Sequence, residues 1–401
     1  MPSIAIIADD LTGACDTGIQ LATAGYRANA IFNLAHLSTV LTDDAIAIST
    51  GTRDLDATAA AARVRDAALA LKSLHVEYYY KKVDSLLRGN VFAEIGACME
   101  VLGHDYCMLA PAYPDNGRRF SEGEVFVTDG DGESSRILAN MSEVARFGFY
   151  VSHIPLADIV RGPVHLASSI LQRIGDRPVV LLADAVENMH LQAIAEAIRL
   201  VPQRCLPAGS AGLAKHMMGY WPAPGTTTIA ALKPSRPGGR VLIVAGSINP
   251  STIAQVNRVR GVPGYVVYDM DETPRAILRD LKNLPATVVL TVAPTQGASP
   301  EQSKIFEHDL GQIVQEVFAP LNVGALILTG GETAQAVLDA LGMHTISLEE
   351  EPLEGVAAGW SEGILVVTKS GGFGDRDALH ALAVYATMKL SIQREVTSFV
   401  P

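Results

Sequence analysis

The feature that most constrains this chain is a regular alternation of short apolar runs with longer segments of helical period, sustained along nearly its whole length. Apolar runs of strand length fall at 3–8, 45–50, 76–81, 106–110, 149–155 and 179–184, with helical patterns such as 57–74 and 191–200 between them. A second series follows at 240–245, 264–268, 287–292, 325–329 and 364–368, separated by helices near 251–259, 273–284, 300–318, 333–341 and 377–388. Strands that alternate with helices in this way predict parallel sheets joined by crossover helices, an α/β fold.

At 401 residues the chain is longer than one hydrophobic core usually grows, so two domains are expected. The stretch WPAPGTTTIAALKPSRPGGR (221–240) interrupts the periodicity with prolines and glycines, which puts a linker at 223–239 between domains at 1–222 and 240–401. A net charge of −12 argues against nucleic acid or an anionic membrane as the main partner, because both require large basic surfaces. A small acidic ligand stays compatible with that charge, since a cationic site can sit inside an acidic protein. Cys15, Cys98, Cys107 and Cys205 show no C-x-x-C spacing, so neither a zinc site nor a disulfide framework is expected. No basic leader opens the chain, and no apolar run approaches the roughly 20 residues that cross a bilayer, so a cytoplasmic protein is expected, with homo-oligomerisation left open.

Chemistry concentrates after the strands. ADDLTGACDTG (8–18) follows the first one, and ligands in open parallel sheets bind beyond the carboxyl ends of strands. Asp9 and Asp10 there could orient hydroxyls, accept a proton or hold magnesium through water; either could instead cap the following helix. YYYKKVDSLLRGN (78–90) gathers Lys82, Asp84, Ser85 and Arg88 in one strand-to-helix turn, a cluster able to grip a carboxylate or phosphate. Lys81 and Lys82 face opposite sides of the strand, so at most one is expected in a site. Arg53, in the TGTRD run after another strand, and Asn116 and Arg118, in APAYPDNGRRF (110–120), belong to the same sheet edge.

In the second half, glycines collect after strands: AGS (245–247) with Ser247, TGGET (329–333) with Gly330, Gly331 and Glu332, and TKSGGFGD (368–375) with Gly371, Gly372, Phe373 and Gly374. Glycine permits close backbone approach, and the amides of a following helix N-terminus can cradle nucleotide phosphates. Neither G-x-x-x-x-G-K-[ST] nor G-x-G-x-x-G occurs, so the nucleotide mode is neither a P-loop nor a dinucleotide fingerprint. There is no G-x-S-x-G elbow or H-E-x-x-H cluster, and no set of metal ligands is legible.

Taken together, ADDLTGACDTG, KKVDSLLRGN, APAYPDNGR, TGGET and TKSGGFGD resemble the four-carbon acid sugar kinase family along essentially the whole chain. The resemblance implies an N-terminal sugar-acid-binding domain, a C-terminal nucleotide-binding domain, an active site in the interdomain cleft, and ATP-dependent phosphorylation of threonate, erythronate or 3-oxo-tetronate at the terminal hydroxyl. It carries acid-sugar contacts onto Asp9, Asp10, Arg53, Lys82, Val83, Asp84 and Ser85, and ATP contacts onto the neighbourhood of Ser247, Gly355 and the GGFG run at Gly371, Gly372, Phe373 and Gly374. Cys15 departs from the short polar residue that family members often carry there, while the Asp16-Thr17 pair is similar to the threonate and erythronate kinases.

The expected mechanism has Arg53 and Lys82 on the substrate carboxylate, Asp10, Asp84 and Ser85 on its hydroxyls, and the glycine loops on ATP, with Mg2+ as companion ion. Asp10 and Asp84 are the candidate proton acceptors, since phosphoryl transfer depends mainly on positioning and charge neutralisation. Two rival readings are a non-catalytic sugar-acid sensor and an NAD-dependent oxidoreductase acting on a sugar acid. The first leaves the glycine loops unexplained and the second lacks its fingerprint.

Overall fold

Most of the apolar runs become strands in parallel register. A computed structural model describes residues 2–128, 134–138, 149–224, 236, 238–269, 277–279, 281–291 and 300–398. The chain divides into two units, Met1–Thr226 and Thr227–Pro401. The expected linker lies largely outside the described residues; of the helix expected at 273–284, residues 277–279 are helical and 281–283 form a turn.

The first unit contains strands β1 (Ile4–Ala8), β2 (Ala28–Ile31), β3 (Ala45–Ser49), β4 (Tyr78–Lys82), β5 (Tyr106–Ala110), β6 (Arg118–Ser121), β7 (Glu124–Thr128), β8 (Ser134–Leu138), β9 (Tyr150–Ile154), β10 (Val179–Ala183) and β11 (Cys205–Gly209). Its helices are α1 (Leu11–Thr23), α2 (Ala57–Ser73), α3 (Val91–Leu102), α4 (Leu156–Ile159), α5 (Pro163–Leu171), α6 (Asn188–Leu200) and α7 (Ala211–His216). Eight strands form one sheet in the order β2-β3-β1-β4-β11-β5-β10-β9, with every neighbouring pair parallel. β6, β7 and β8 make a separate antiparallel sheet. β1, β3, β5 and β10 are buried along their whole length, as expected of parallel strands covered on both faces. The helix α1 starts where Asp10 accepts a hydrogen bond from Gly13 N at 2.6 Å, so Asp10 is indeed its cap.

In the second unit the strands are β12 (Arg240–Ala245), β13 (Tyr265–Asp269), β14 (Thr287–Thr291), β15 (Val323–Thr329), β16 (Thr345–Leu353), β17 (Val356–Ser361) and β18 (Ile364–Lys369). Its helices are α8 (Pro250–Val259), α9 (Pro300–Phe318), α10 (Gly331–Ala340) and α11 (Ala378–Ser398). The order is β13-β14-β12-β15-β18-β17-β16: five parallel strands, then β17 and β16 added antiparallel at one side. Ile243, Ile327, Val367 and Trp360 pack with Leu379, Leu382 and Ala386 of α11 in the core.

The sequence pattern missed β2, β7, β8, β11 and the β16–β17 hairpin. β11 reads CLPAG, and its proline and glycine hide it. Pro207 is tolerated because β11 pairs with β4 only at Ala208 and Gly209, so the missing N–H of Pro207 costs no bond on that side. At Gly209 a side chain would run into the carbonyl oxygen of Ala110. Within APAYPDNGRRF (110–120), Pro114–Asn116 form a 3-10 turn and β6 follows.

Candidate active site

Both sheets have a topological switch point, where strand order reverses and the loops at the carboxyl ends diverge, and open α/β sheets bind ligands there. In the first unit β1 lies between β3 and β4. The loops after these three strands carry Asp9 and Asp10, Arg53, and Lys82 to Arg88 respectively. They are laced together: Thr52 N donates to Asp9 O at 2.9 Å, and Asn90 Nδ2 to the carbonyls of Thr52 and Leu55 at 3.0 and 2.8 Å. Gly89 (φ 80°) takes a left-handed backbone in which a side chain would crowd the Arg53 backbone at 3.2 Å, while Leu87 holds a left-handed φ of 55° that costs a non-glycine residue conformational energy.

Arg53 ties the aspartates. Its Nε donates to Asp9 Oδ2 at 2.8 Å and its Nη1 to Asp10 Oδ2 at 2.5 Å, with Nη2 4.0 Å from Asp84 Oδ1. Asp84 in turn accepts both arms of Arg88, Nε at 2.7 Å and Nη2 at 2.8 Å, plus the amides of Leu86 and Arg88 at 3.2 Å each. Burial alone would push the Asp84 carboxyl up, but the Arg88 hydrogen bonds and the Arg53 charge outweigh it, and the group lies well below the usual carboxylate range. Asp9 is also lowered: burial opposes, while Arg53, Lys82 and Lys81 prevail. One oxygen of Asp9, Oδ1, is buried without a hydrogen-bond partner.

The two lysines that end β4 do part, as their alternation requires. Lys81 Nζ is fully buried 2.8 Å from Glu94 Oε2 of α3. Lys82 Nζ lies 3.8 Å from Asp16 Oδ2 on α1. The sequence marked Asp16 only through its pairing with Thr17 and gave it no contact: burial pushes it up to about 7, against the partial relief of Lys82 and a hydrogen bond from Thr17. Val83 and Ser85 are buried in the same turn. The Arg118 guanidinium binds the carbonyl of Asn116 and lies close enough to Asp84 and Arg88 to feel both charges.

In the second unit β12 is flanked by β14 and β15, and Ser247, Gly330 and Gly371 follow β12, β15 and β18. Packing shows that these loops meet. A side chain at Gly371 would collide with Ser247 Oγ, one at Gly246 with Thr333 Oγ1, and one at Gly330 would touch Ser247 Cβ at 3.4 Å. Gly355, in the turn between β16 and β17 with φ 72°, reaches the same end because Val356 pairs with Lys369. Gly331 and Glu332 open α10, and Gly372 and Phe373 sit in the loop after β18. Sequence reasoning passed over Lys369 itself, which is fully buried among these loops; burial lowers its amine to about 7.

Among the described residues no cluster of three His, Cys, Asp or Glu side chains could hold a metal, and no helix is long and apolar enough to cross a membrane. All four cysteines are buried and none is joined in a disulfide.

Known proteins match this chain along nearly all of its length. A family model described as a sugar-binding N-terminal domain matches residues 4–217, and one described as a nucleotide-binding C-terminal domain matches 242–379. Among curated relatives, the D-threonate kinase of Bordetella bronchiseptica is 29% identical, covering 94% of this chain and 96% of its own. The D-erythronate kinase of Heliobacterium modesticaldum is 27% identical over 98% of both chains, and the 3-oxo-tetronate kinase of Methylobacterium radiotolerans 26% identical over 94% and 97%. A solved Salmonella typhimurium protein, 24% identical, shares the fold with a TM-score of 0.72 over 94% of this chain and 98% of its own. With two family models that together span both sheets, and the motif residues standing at the switch point of each, the chain belongs to the four-carbon acid sugar kinase family.

Proposed function

We propose that the protein transfers the terminal phosphoryl group of ATP to the terminal hydroxyl of a four-carbon sugar acid, with D-threonate or D-erythronate as preferred acceptor. The observation that carries this reading is the cationic cluster of Arg53, Lys82 and Arg88, interleaved with Asp9, Asp10 and Asp84, at the switch point of the unit matched by the sugar-binding family model. Relatives named for threonate, erythronate and 3-oxo-tetronate match at 26 to 29% identity, so the lean toward the first two rests on the Asp16-Thr17 pair.

In this reading Arg53 and Lys82 bind the substrate carboxylate, and Asp9 Oδ1, the buried oxygen without a partner, accepts a substrate hydroxyl. Asp10 and Asp84 are already multiply hydrogen-bonded, so their part is to orient Arg53 and Arg88; a loose phosphoryl-transfer transition state asks little of a base. Magnesium would be held mainly by phosphate and water, with the Asp9–Asp10 carboxylates reaching it through water. Magnesium supplies charge neutralisation at the phosphates. The loops at Ser247, Gly330, Gly355 and Gly371 hold the nucleotide.

The test is ADP release from ATP and magnesium across D- and L-threonate, D- and L-erythronate and 3-oxo-tetronates. Turnover confined to one acid supports the reading and names the acceptor. Nucleotide binding without turnover on any of them overturns the acceptor class, and failure to bind ATP overturns the kinase reading.

A further inference from the structure

Lys369 ends β18 and stands where the glycine loops of the second unit converge. Its backbone carbonyl accepts the amide of Gly330 at 2.9 Å, and its register partners are Thr329 on β15 and Val356, next to Gly355, on β17. Its Nζ is fully buried and donates to the carbonyls of Ser370 at 2.9 Å and Phe373 at 3.0 Å. Two residues of α8 hold the rest of the loop from the same inner side. Thr252 Oγ1 donates to Gly371 O at 2.8 Å, and Gln255 Nε2 to the carbonyls of Phe373, Gly374 and Asp375 at 3.1, 3.1 and 2.8 Å.

In a trans peptide the C=O and the next N–H point in opposite directions. Five carbonyls drawn inward therefore turn the amides of Gly371, Gly372, Gly374, Asp375 and Arg376 away from the core, the arrangement of an anion-binding nest. A buried amine beneath such a nest meets little opposing charge. The charged side chains of the packed elements at this end of the sheet are Asp375, Arg376 and Asp377 on the loop, Arg258 on α8, which pairs with Asp377 at 2.7 Å, Glu332 on α10, and Glu351 and Glu354 on the hairpin. Lys369 is hydrogen-bonded to carbonyls and not to any of these carboxylates, and burial lowers its amine.

We propose that Lys369 is the positioning residue of the nucleotide loop: it draws the Ser370 and Phe373 carbonyls inward so that the following amides face the phosphates, and it takes up a proton from solvent when those phosphates arrive. This rests on the reading of the second unit as the nucleotide site. The neutral amine has two N–H bonds, enough for both carbonyls, so the loop keeps its form before the ligand binds. An arriving polyanion then favours the ammonium over the amine, and binding is linked to proton uptake.

The experiment is calorimetric titration of the full-length protein with ADP, which does not turn over, in buffers of different ionisation enthalpy at pH 6, 7 and 8. ADP's own terminal phosphate titrates near 6 and is silent at pH 8, so uptake there reports the lysine. The expected result is roughly half a proton or more taken up at pH 8, lost in Lys369→Met with ADP affinity at least tenfold weaker. Uptake at pH 8 equal in the variant and the parent, or absent from a parent that binds ADP, overturns the proposal; the parent measurement decides even where the variant fails to fold. A parent that does not bind ADP overturns the nucleotide reading, and the proposal with it.

Discussion

Replacing Arg53 with alanine tests the core of the sugar-acid cluster. The guanidinium makes charge-assisted hydrogen bonds to Asp9 at 2.8 Å and Asp10 at 2.5 Å, and its side chain is 20% exposed. Two such bonds are worth about 3–6 kcal/mol together, and partial solvent screening brings the expected cost of Arg53→Ala to about 2–4 kcal/mol. For a unit of this size that is a fall of roughly 5–15 °C in its Tm, read by differential scanning calorimetry. The pH dependence makes the prediction sharper. In the parent, Asp9 is depressed despite its burial, so it contributes stability that is present above the unfolded pKa of 3.8 and lost as pH falls through the folded value. Without Arg53, its largest opposing charge, burial governs and the Asp9 pKa rises above the unfolded value. The penalty is then absent below about pH 4 and grows as pH rises through the new folded pKa. The Tm gap between parent and variant should therefore be larger at pH 8 than at pH 4.5, where the lost Arg53 bonds alone set it, and adding Asp9→Asn should recover part of the pH 8 loss. In kinetics, the sugar-acid KM should rise at least tenfold while ADP affinity is unchanged. A pH-independent Tm gap, or an unchanged KM, would refute the reasoning.

Two further outcomes follow from neighbouring residues. Asp16, raised to about 7 by burial, contributes stability that is full below pH 4 and lost as pH rises through 7; Asp16→Asn cannot ionise, so relative to the parent it should gain up to about 4 kcal/mol between pH 4 and 8, and an offset constant across that range would count against it. Gly371→Ala places a methyl against Ser247 Oγ and should weaken ADP binding at least tenfold with sugar-acid binding intact; Ser247→Gly in the same chain should restore part of the loss, and unaltered ADP affinity in Gly371→Ala would show that the loops do not form the cradle.

What could be read from the sequence and what could not divide along a physical line. The α/β alternation was legible because parallel strands buried on both faces are written as unbroken apolar runs, such as IAIIA in β1 and VVLLA in β10. Asp9, Asp10, Arg53 and Lys82 to Arg88 were legible as one edge because polar residues that follow such strands stand at their carboxyl ends. Strands whose local signals conflict were lost: β11 carries Pro207 and Gly209, and only the short register with β4 explains how it is accommodated. The chemistry of individual groups was lost for a different reason. Side-chain type says that Lys81, Lys82 and Lys369 are cations, but their state depends on depth and partners that are distant in sequence.

Those three lysines show how far identical residue types can diverge at equivalent strand ends. Lys81 is buried against Glu94, which keeps its amine above the ordinary value despite the burial. Lys82, one residue on and on the opposite face, sits 3.8 Å from Asp16 beside the Asp9–Asp10–Arg53 cluster. Lys369 is as deeply buried as Lys81, yet it meets two carbonyls and no carboxylate, and its amine falls to about 7. A lysine matched to a carboxylate is committed to its charge whatever binds nearby. One matched only to carbonyls can change its charge when a polyanion arrives, so the absence of a carboxylate partner is what suits Lys369, and not Lys81, to respond to a nucleotide.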